Sequence, residues 1–219
     1  MPQGFFLTFE GLDGSGKSTQ LRKLAHWLEA RGESCVITRQ PGGTKTGDRI
    51  RALLLDSRTE GLSPMAELGL MFSDRAQSIA EIIQPALSEG KIVLCDRYTD
   101  STEAYQGGGR QLGSELVLQL HKSMCGGLDP DLTILLLPDL HRSLERARRR
   151  NHRIVAQTAK DEGRFESENE EFYQRVFDQY RQIARRDHLR VVAIESDEEI
   201  ERIHERITRI VGERLARRA

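Results

Sequence analysis

Eight residues near the start of the chain have the types and spacing needed to hold a nucleotide phosphate. The run from Gly11 to Ser18 fits a glycine, four variable residues and then Gly-Lys-Ser. Its glycines allow backbone N–H groups to converge on a phosphate, Lys17 would reach the β- and γ-phosphates, and Ser18 would ligate Mg²⁺. The pattern predicts that a nucleoside triphosphate binds here. The predicted nucleotide-binding residues are Gly11, Leu12, Asp13, Gly14, Ser15, Gly16, Lys17, Ser18 and Thr19.

The segments on either side of this run are the ones that a phosphate-binding loop requires. Residues 5–10 are largely apolar and predict a buried strand that leads into the loop. Apolar residues then recur at helical spacing, at Leu21, Leu24, Ala25 and Leu28. A helix is therefore predicted to begin near Lys17, and a glycine-rich turn that matched by chance would lack both flanks.

The composition favours a cytoplasmic enzyme over several other classes of protein. The 219 residues carry a formal net charge of −1, which argues against a nucleic-acid partner. No apolar stretch approaches membrane-spanning length, so no membrane association is expected. The three cysteines are widely spaced and form no Cys-x-x-Cys pair, which indicates reduced thiols in a reducing compartment.

Apolar segments alternate with helical ones along the chain. Four further strands are predicted at residues 34–39, 92–96, 132–137 and 190–194. Helices are predicted at about 48–55, 65–87, 114–124 and 139–149, with helical periodicity again near 173–184 and from Ile200, where Ser196 and Asp197 would form the cap. Near-continuous apolar strands indicate burial on both faces of a parallel sheet. We therefore predict an α/β fold in which a five-stranded parallel sheet is flanked by helices, as one domain over residues 1–219.

The carboxyl ends of such strands form the rim where ligands gather. Asp13, Arg39, Asp96 and the turn at 138–139 are expected on this rim. Arg39 and Arg97 end two neighbouring strands, and an arginine fork suits a phosphate, so a second phosphate site is predicted beside the loop. Asp96 would act through Mg²⁺ or its water shell.

Five motifs together resemble the thymidylate kinase family. They are Phe9-Glu-Gly-Leu-Asp-Gly-Ser-Gly-Lys-Ser-Thr19, Thr38-Arg-Gln-Pro-Gly-Gly-Thr44, Asp96-Arg-Tyr98, Tyr105-Gln-Gly-Gly-Gly-Arg110 and Pro130-Asp-Leu-Thr133. They occur in the family's order and span nearly the whole chain. The resemblance implies a P-loop NTPase fold of the nucleoside monophosphate kinase type, transfer of phosphate from ATP to dTMP with Mg²⁺ in dTTP biosynthesis, and a homodimer. The long helix containing Leu68 and Leu70 would supply the dimer surface.

The resemblance also implies a role for each matching residue. Asp13 would approach the sugar hydroxyl and the metal, while Arg39, Arg51 and Arg97 would surround the acceptor phosphate. The implied base and sugar contacts are Phe72, Arg75, Thr102, Tyr105 and Gln106. Taken locally, Phe72 would be a core residue and Arg75 a solvated charge. The sequence departs from the family where Gln40 replaces a glutamate and where Met71 stands at the position of the aromatic residue in some relatives.

A basic cluster supplies candidates for a catalytic arginine. Some relatives carry an arginine in the phosphate loop, where this chain has Gly14, and others supply the cation from a lid. The chain is predicted to have a lid segment at about residues 147–166, containing a polar, aperiodic stretch from 151 to 163. Its arginines are Arg148, Arg149, Arg150, Arg153 and Arg164, of which Arg148, Arg153 and Arg164 are the leading catalytic candidates with Lys17, Asp13 and Arg97. Solvated charges at a helix end are the alternative.

Three other functions are compatible with parts of the pattern. A kinase for another monophosphate, such as a guanylate or cytidylate kinase, would differ mainly at positions 72, 75, 102 and 106. A GTP-dependent switch protein would carry an Asn-Lys-x-Asp motif, which this sequence lacks. A scaffold with a vestigial loop would leave Lys17 and Ser18 unconstrained.

Overall fold

Five parallel strands form the central sheet in the order β2-β3-β1-β4-β5. The computed structural model describes residues 4–158 and 161–217. The strands are β1 (Phe5–Gly11), β2 (Cys35–Arg39), β3 (Ile92–Asp96), β4 (Leu132–Leu136) and β5 (Val191–Ile194). Each strand is joined to the next through helices, so their carboxyl ends lie at one edge of the sheet.

Helices cover both faces of the sheet. The longer ones are α1 (Lys17–Glu29), α2 (Lys45–Leu55), α3 (Pro64–Ser78), α6 (Ser114–Cys125), α7 (Leu140–Thr158), α8 (Glu170–Arg186) and α9 (Ile200–Ala216). The shorter ones are α4 (Gln84–Ser88) and α5 (Thr99–Thr102), with π-helical turns at Ile79–Ile83 and Glu103–Gly109 and a 3₁₀ turn at Phe165–Ser167. No helix in the two described ranges is both long and apolar enough to cross a membrane.

The inner strands form because their side chains are apolar on both faces. Every residue of β1 and β4 is buried, and Leu7 of β1 lies opposite both Leu94 of β3 and Leu132 of β4. The one polar pair between β1 and β4 is satisfied internally, since the hydroxyls of Thr8 and Thr133 hydrogen-bond at 2.8 Å. These observations confirm the predicted five-stranded parallel sheet flanked by helices.

Two predicted helices differ in detail from the structure, one by an internal turn and one at its first residue. The predicted helix 65–87 is helical throughout but contains the π-helical turn at Ile79–Ile83, which no periodicity in the sequence indicates. The helix predicted from about residue 48 begins at Lys45, because the Thr44 side chain caps it by accepting from the Gly47 N–H at 2.8 Å.

The predicted cap of the last helix is wrong. The helix α9 begins at Ile200, and Glu199 occupies the cap position without a side-chain hydrogen bond. Ser196 accepts instead from the Glu198 N–H at 3.1 Å. Asp197 lies between Arg142 and Arg146 of α7, at 3.7 and 3.8 Å, so its carboxylate is used for ion pairs rather than for capping.

The Tyr-Gln-Gly-Gly-Gly-Arg motif forms the π-helical turn against which α8 packs. A Cβ atom at Gly109 would lie 2.5 Å from the Phe172 ring, so only glycine permits this approach. The close packing of α8 brings the Tyr180 hydroxyl to 2.8 Å from that of Ser101, a residue that lines the cavity described below.

The stretch from residue 151 to residue 163 differs most from its prediction. It was expected to be irregular, but α7 continues to Thr158. The sequence of residues 151–158 contains no glycine or proline, so nothing in it stops the helix. It lacks apolar periodicity because most of its described side chains are exposed.

Candidate active site

The predicted phosphate-binding loop lies between β1 and the first residue of α1, as expected. Lys17 begins the helix and its Nζ donates to the backbone carbonyls of Gly11 and Leu12, at 3.0 and 2.7 Å. Burial and the neighbouring charge of Arg97 lower the pKa of Lys17 to about 8. The lysine is thus held over the loop, where its positive charge faces the site of a phosphate.

The two predicted metal residues are adjacent. The Ser18 hydroxyl donates to the Asp96 carboxylate at 2.6 Å, where β3 ends beside the loop. No group of three or more His, Cys, Asp or Glu side chains in the described ranges could hold a metal by itself. One hydroxyl and one carboxylate nevertheless fit Mg²⁺, which takes its remaining ligands from water and from nucleotide phosphates.

Asp13 lies among cations at the rim. Its carboxylate is 2.9 Å from the Arg97 guanidinium and 3.5 Å from that of Arg150, and the Tyr105 hydroxyl is 3.5 Å away. Desolvation opposes ionisation, but the charges of Arg97, Lys17 and Arg150 outweigh it and hold the pKa of Asp13 well below its usual range. Asp13 is therefore a carboxylate at any physiological pH.

Arg97 is fixed in place by backbone geometry and by hydrogen bonds. Its φ is +71°, a left-handed value that is unusual for a residue with a side chain. Its Nη1 donates to the carbonyl of Gly11 and to the hydroxyl of Ser101, both at 2.9 Å. A backbone held in an unfavourable region at such a position is typical of a functional site.

A cavity of about 330 Å³ opens above the carboxyl ends of β1, β2 and β3. Its lining includes the sequence-predicted residues Asp13, Lys17, Ser18, Arg39, Arg51, Arg75, Asp96, Arg97, Thr102, Tyr105 and Gln106. Arg39, Arg51 and Arg97, here called the acceptor arginines, all line it. Arg39 is 3.3 Å from Asp48, and Arg51 donates to the Pro41 carbonyl at 3.0 Å.

Four buried polar atoms of residues that line this cavity lack a hydrogen-bond partner among the described residues. Arg97 Nη2 is nevertheless ion-paired with Asp13 at 2.9 Å, whereas Arg75 Nη1, Gln40 Nε2 and Gln106 Oε1 form a cluster of their own. The polarity of each amide is set by its other end. Gln40 Oε1 accepts from Arg75 Nε at 2.9 Å, which leaves its NH₂ group, and Gln106 Nε2 donates to Glu67 at 2.8 Å, which leaves its carbonyl. The Gln40–Arg75–Gln106 cluster therefore offers two donors and one acceptor, and such buried groups call for a ligand.

The predicted stacking role of Phe72 is corrected by its position. Phe72 is fully buried in an apolar cluster with Leu68 and Val117, and the Arg75 guanidinium lies 4.9 Å from its ring centre. Adjacent helical residues point about 100° apart, so Met71 faces the cavity instead. Phe72 supports Arg75 from behind, and the side chain offered to a base is Met71.

The cavity's lid-borne arginine is Arg150, which was not among the leading candidates. Ala147 is buried against the phosphate loop, and a Cβ at Gly14 (φ +77°) would lie 2.9 Å from the Ala147 nitrogen and 2.1 Å from the Ser143 carbonyl. Because Arg150 follows Ala147 by three residues, it lies on the same helix face, and its guanidinium reaches Asp13. The spacing of Ala147 and Arg150 was the sequence signal for this residue.

The three lid arginines that were the leading catalytic candidates lie elsewhere. Arg164 is largely buried and holds Glu67 at 2.7 Å and the Leu54 carbonyl, so it fastens the end of the lid to the core. Arg148 lines a separate depression beside His141 and Tyr173. Arg153 is exposed on α7 and is not among the described residues that line the cavity.

Sequence reasoning missed a buried acid beneath the cavity. Glu10 is fully buried, accepts from the Tyr98 N–H at 2.6 Å and also accepts from the hydroxyl of Ser101. Burial, and next the charge of Asp100, raise the pKa of Glu10 to about 7. A lone carboxylate at the end of an apolar strand was the available signal.

The lid also brings two carboxylates to the cavity that were not predicted, Glu162 and Glu166. Glu162 binds Arg51 through two contacts, from Nε at 3.1 Å and from Nη2 at 2.6 Å. Burial and the charge of Asp13 raise the pKa of Glu166.

The fold and the site together define a P-loop phosphotransferase. The predicted phosphate-binding loop, the adjacent Ser18–Asp96 pair and a second region lined by arginines share one cavity under a helical lid. The family model described as thymidylate kinase matches residues 9–207.

Individual relatives agree with this match. The chain is similar to the thymidylate kinase of Desulfovibrio desulfuricans, with 49% identity over 193 residues and 88% of each chain covered. It is 48% identical over 210 residues to that of Solidesulfovibrio magneticus, covering 96% of this chain and all of that one. The crystal structure of thymidylate kinase from Ehrlichia chaffeensis has a TM-score of 0.74 and 32% identity, covering 96% of this chain and 99% of that chain. The chain therefore belongs to the thymidylate kinase family.

Proposed function

We propose that this chain phosphorylates dTMP to dTDP with ATP and Mg²⁺, a step in dTTP biosynthesis. The observation that carries the choice of substrate is the Gln40–Arg75–Gln106 cluster with its unpartnered atoms. A thymine edge presents a carbonyl acceptor next to an N–H donor, which matches two donors and one acceptor. The cytosine edge presents an amino donor and a ring acceptor instead, so it would leave these groups unpaired.

The sugar and the base would be held by the remaining walls. The Thr102 hydroxyl accepts a hydrogen bond from Arg75 Nη2 at 2.9 Å, which would hold the guanidinium against the edge of the base. Met71 supplies an apolar surface for the ring. Tyr105 is buried between Phe165 and Phe172, with ring centres at 5.6 and 6.2 Å, and its hydroxyl faces Asp13, so it would form the wall next to the sugar.

The chemistry is an in-line displacement. An oxygen of the acceptor monophosphate forms a bond to the γ-phosphorus of ATP as the bond from that phosphorus to the β–γ bridging oxygen breaks, which gives dTDP and ADP. The acceptor is already an anion, so no strong general base is needed, and positioning with charge stabilisation carries the rate. When bound, Mg²⁺ neutralises charge on the β- and γ-phosphates, and Ser18 and Asp96 would hold it.

Three side chains would provide the positive field around the transferred group. Lys17 lies over the loop, Arg97 is fixed between the loop and the acceptor region, and Arg150 reaches the same rim from the lid. Since Gly14 is packed against α7 and admits no side chain, the loop cannot carry an arginine at that position. We propose Arg150 as the catalytic arginine of the lid.

The homodimer is proposed on the family resemblance and on exposed apolar side chains. Leu68 is buried in the core and Leu70 is partly buried against another apolar cluster, so these two residues do not form a free surface. Met65 of α3 and Leu118 and Met124 of α6 are exposed, and these two helices pack together. Sedimentation equilibrium of the wild type and of Leu118→Glu tests this surface. The cytoplasmic location stays a prediction.

A panel of monophosphates tests the proposed substrate. ADP release is measured with dTMP, dUMP, dGMP and dCMP at fixed ATP and Mg²⁺. We expect the highest kcat/KM for dTMP and a value for dCMP lower by about 10⁴, the penalty for leaving buried polar groups unpaired. A kcat/KM for dCMP or dGMP equal to that for dTMP would contradict the assignment of the base-binding cluster.

A further inference from the structure

A carboxylate of the lid lies on an arginine that the substrate phosphate would need. Glu162 and Arg51 both line the cavity, and the two oxygens of Glu162 accept from Nε and Nη2 of Arg51. This parallel pair of contacts is the geometry in which an arginine binds a phosphate. The remaining nitrogen, Nη1, donates to the Pro41 carbonyl at 3.0 Å, so every nitrogen of Arg51 has a protein partner.

The position of Glu162 is set by firm contacts on both sides of it. Asp161 accepts from the Ser57 hydroxyl at 2.7 Å and from the Asn151 amide at 3.0 Å. Two residues after Glu162, the Arg164 N–H donates to the Leu55 carbonyl at 3.2 Å. The lid therefore runs along the end of α2, and Glu162 is held over Arg51 by the chain around it.

The Glu162 side chain is also partly exposed to water. Its exposed fraction is 43%, against 20% for Arg51, so water can solvate the carboxylate once it is released. A monophosphate drawn in by Arg39 and Arg97 would bring negative charge next to Glu162. Two anions that contact one cation repel each other, so the more highly charged phosphate would displace the Glu162 carboxylate from Arg51.

We propose that Glu162 stands in for the acceptor phosphate on Arg51 and is displaced when the monophosphate binds, so that it sets the affinity for the acceptor. The inference rests on the proposed function, because Arg51 must be one of the acceptor arginines. Glu162 is then a residue that lowers acceptor affinity by competing with the monophosphate for Arg51.

The matched variants are Glu162→Gln and Glu171→Gln. Each removes one negative charge and keeps the size of the side chain, but Glu171 is exposed at the start of α8 and is not among the described residues that line the cavity. The matched ligands are dTMP and thymidine, which differ only in the phosphate. Calorimetric titration gives Kd for each pair, and thermal unfolding confirms that each variant is folded.

We expect Glu162→Gln to bind dTMP about tenfold more tightly than the wild type, as loss of a charge repulsion near a protein surface allows. Its affinity for thymidine should stay within about twofold, and Glu171→Gln should match the wild type for both ligands. The tightening should shrink at 0.5 M salt because the competing charge is partly exposed.

Unchanged or weaker binding of dTMP by Glu162→Gln would overturn the inference, since Glu162 would then only orient Arg51. Equal tightening toward thymidine would also overturn it, because the effect would not involve the phosphate. If the wild type bound neither ligand at millimolar concentration, the proposed function would fail, and the inference with it.

Discussion

At the scale of single residues, the site is a balance of charges around Asp13. Arg97 and Arg150 both contact its carboxylate, and Lys17 lies close enough to lower its pKa. This carboxylate holds the guanidinium groups of Arg97 and Arg150 beside each other at the rim of the cavity. The positive field that a phosphoryl transfer needs is therefore assembled before any anion enters.

Replacement of Arg150 by methionine tests the cation of the lid. We expect Arg150→Met to lower kcat by about 10²- to 10³-fold, because the charge on the transferring group loses one of its stabilising partners. Steady-state ADP release at saturating ATP and dTMP measures the effect. The matched control is Arg149→Met, since Arg149 is exposed on the same helix and pairs only with Glu145 among the described residues, at 3.3 Å. Equal turnover by the two variants would remove Arg150 from the mechanism.

At the scale of elements, the lid helix α7 is docked directly onto the phosphate loop. The contact is made at Gly14, where the backbone of Ser143 and Ala147 occupies the space of a side chain. The far end of the lid is fastened to the core by Arg164. These two contacts fix the position of the lid relative to the loop, and with it the position of Arg150.

Gly14→Ala should break this docking. Its Cβ would lie 2.1 Å from the Ser143 carbonyl, so α7 must move and take Arg150 with it. We expect kcat to fall by about 10²-fold, the cost of a displacement of roughly 1 Å at a catalytic group. Gly32→Ala is the control, because Gly32 has a similar φ of +82° but nothing within 4 Å of a Cβ. If both variants lost the same activity, backbone strain rather than the lid contact would be responsible.

Arg164→Met should act on stability. It removes a donor from the fully buried Glu67, which keeps Arg110 and Gln106 as partners. The expected loss in the free energy of unfolding is about 1–3 kcal/mol, measured by urea denaturation. Arg149→Met again serves as control, with an expected change below about 1 kcal/mol because its ion pair is exposed. A normal stability combined with a large loss of kcat would instead support the catalytic role first predicted for Arg164.

The sequence predicts well those elements whose structure depends on the residues of one strand or one short motif. The apolar strands and the loop from Gly11 to Ser18 were predicted because each is buried or functional by itself. The choice between Met71 and Phe72 depends on which side of α3 faces the cavity and which side faces the neighbouring helices. A single sequence does not show this rotation of the helix. Arg150 was missed for a similar reason, since only the packing of Ala147 on the loop shows which side of α7 faces the nucleotide.

The contact between Glu162 and Arg51 could not have been predicted at all. These residues are separated by 111 positions, and they meet only because the lid runs along the end of α2. Polar stretches such as residues 151–163 have no apolar period that would fix their path. The described residues 161–164 are positioned by polar and charged contacts with the core.

At the scale of the whole molecule, one buried acid joins the sheet to the helices. Glu10 ends the apolar part of β1, accepts from Tyr98 after β3, and lies 3.4 Å from the Tyr180 hydroxyl of α8. Three elements that are distant in sequence thus meet at one carboxyl group. Its protonation should therefore be visible in the stability of the entire fold.

The pH dependence of unfolding tests this role. The pKa of Glu10 is raised from 4.5 to about 7 in the folded protein, so the folded state binds more protons than the unfolded chain between these values. The contribution of Glu10 to the free energy of unfolding must then fall as the pH rises through this window. Between pH 5.5 and pH 7.5 we expect the wild type to lose about 2 kcal/mol relative to Glu10→Gln, measured by urea denaturation. Parallel stability curves for the two proteins would show that Glu10 has an ordinary pKa.

Transfer of label from ATP tests the central claim most directly. The purified protein is incubated with γ-³²P-labelled ATP, Mg²⁺ and dTMP, and the nucleotides are separated and counted. We predict one labelled dTDP for each ADP formed, and a rate that falls by about 10²- to 10³-fold in Lys17→Ala, which removes the fixed cation of the loop. Release of the label as inorganic phosphate without labelled dTDP, or an unchanged rate in a folded Lys17→Ala variant, would contradict the account.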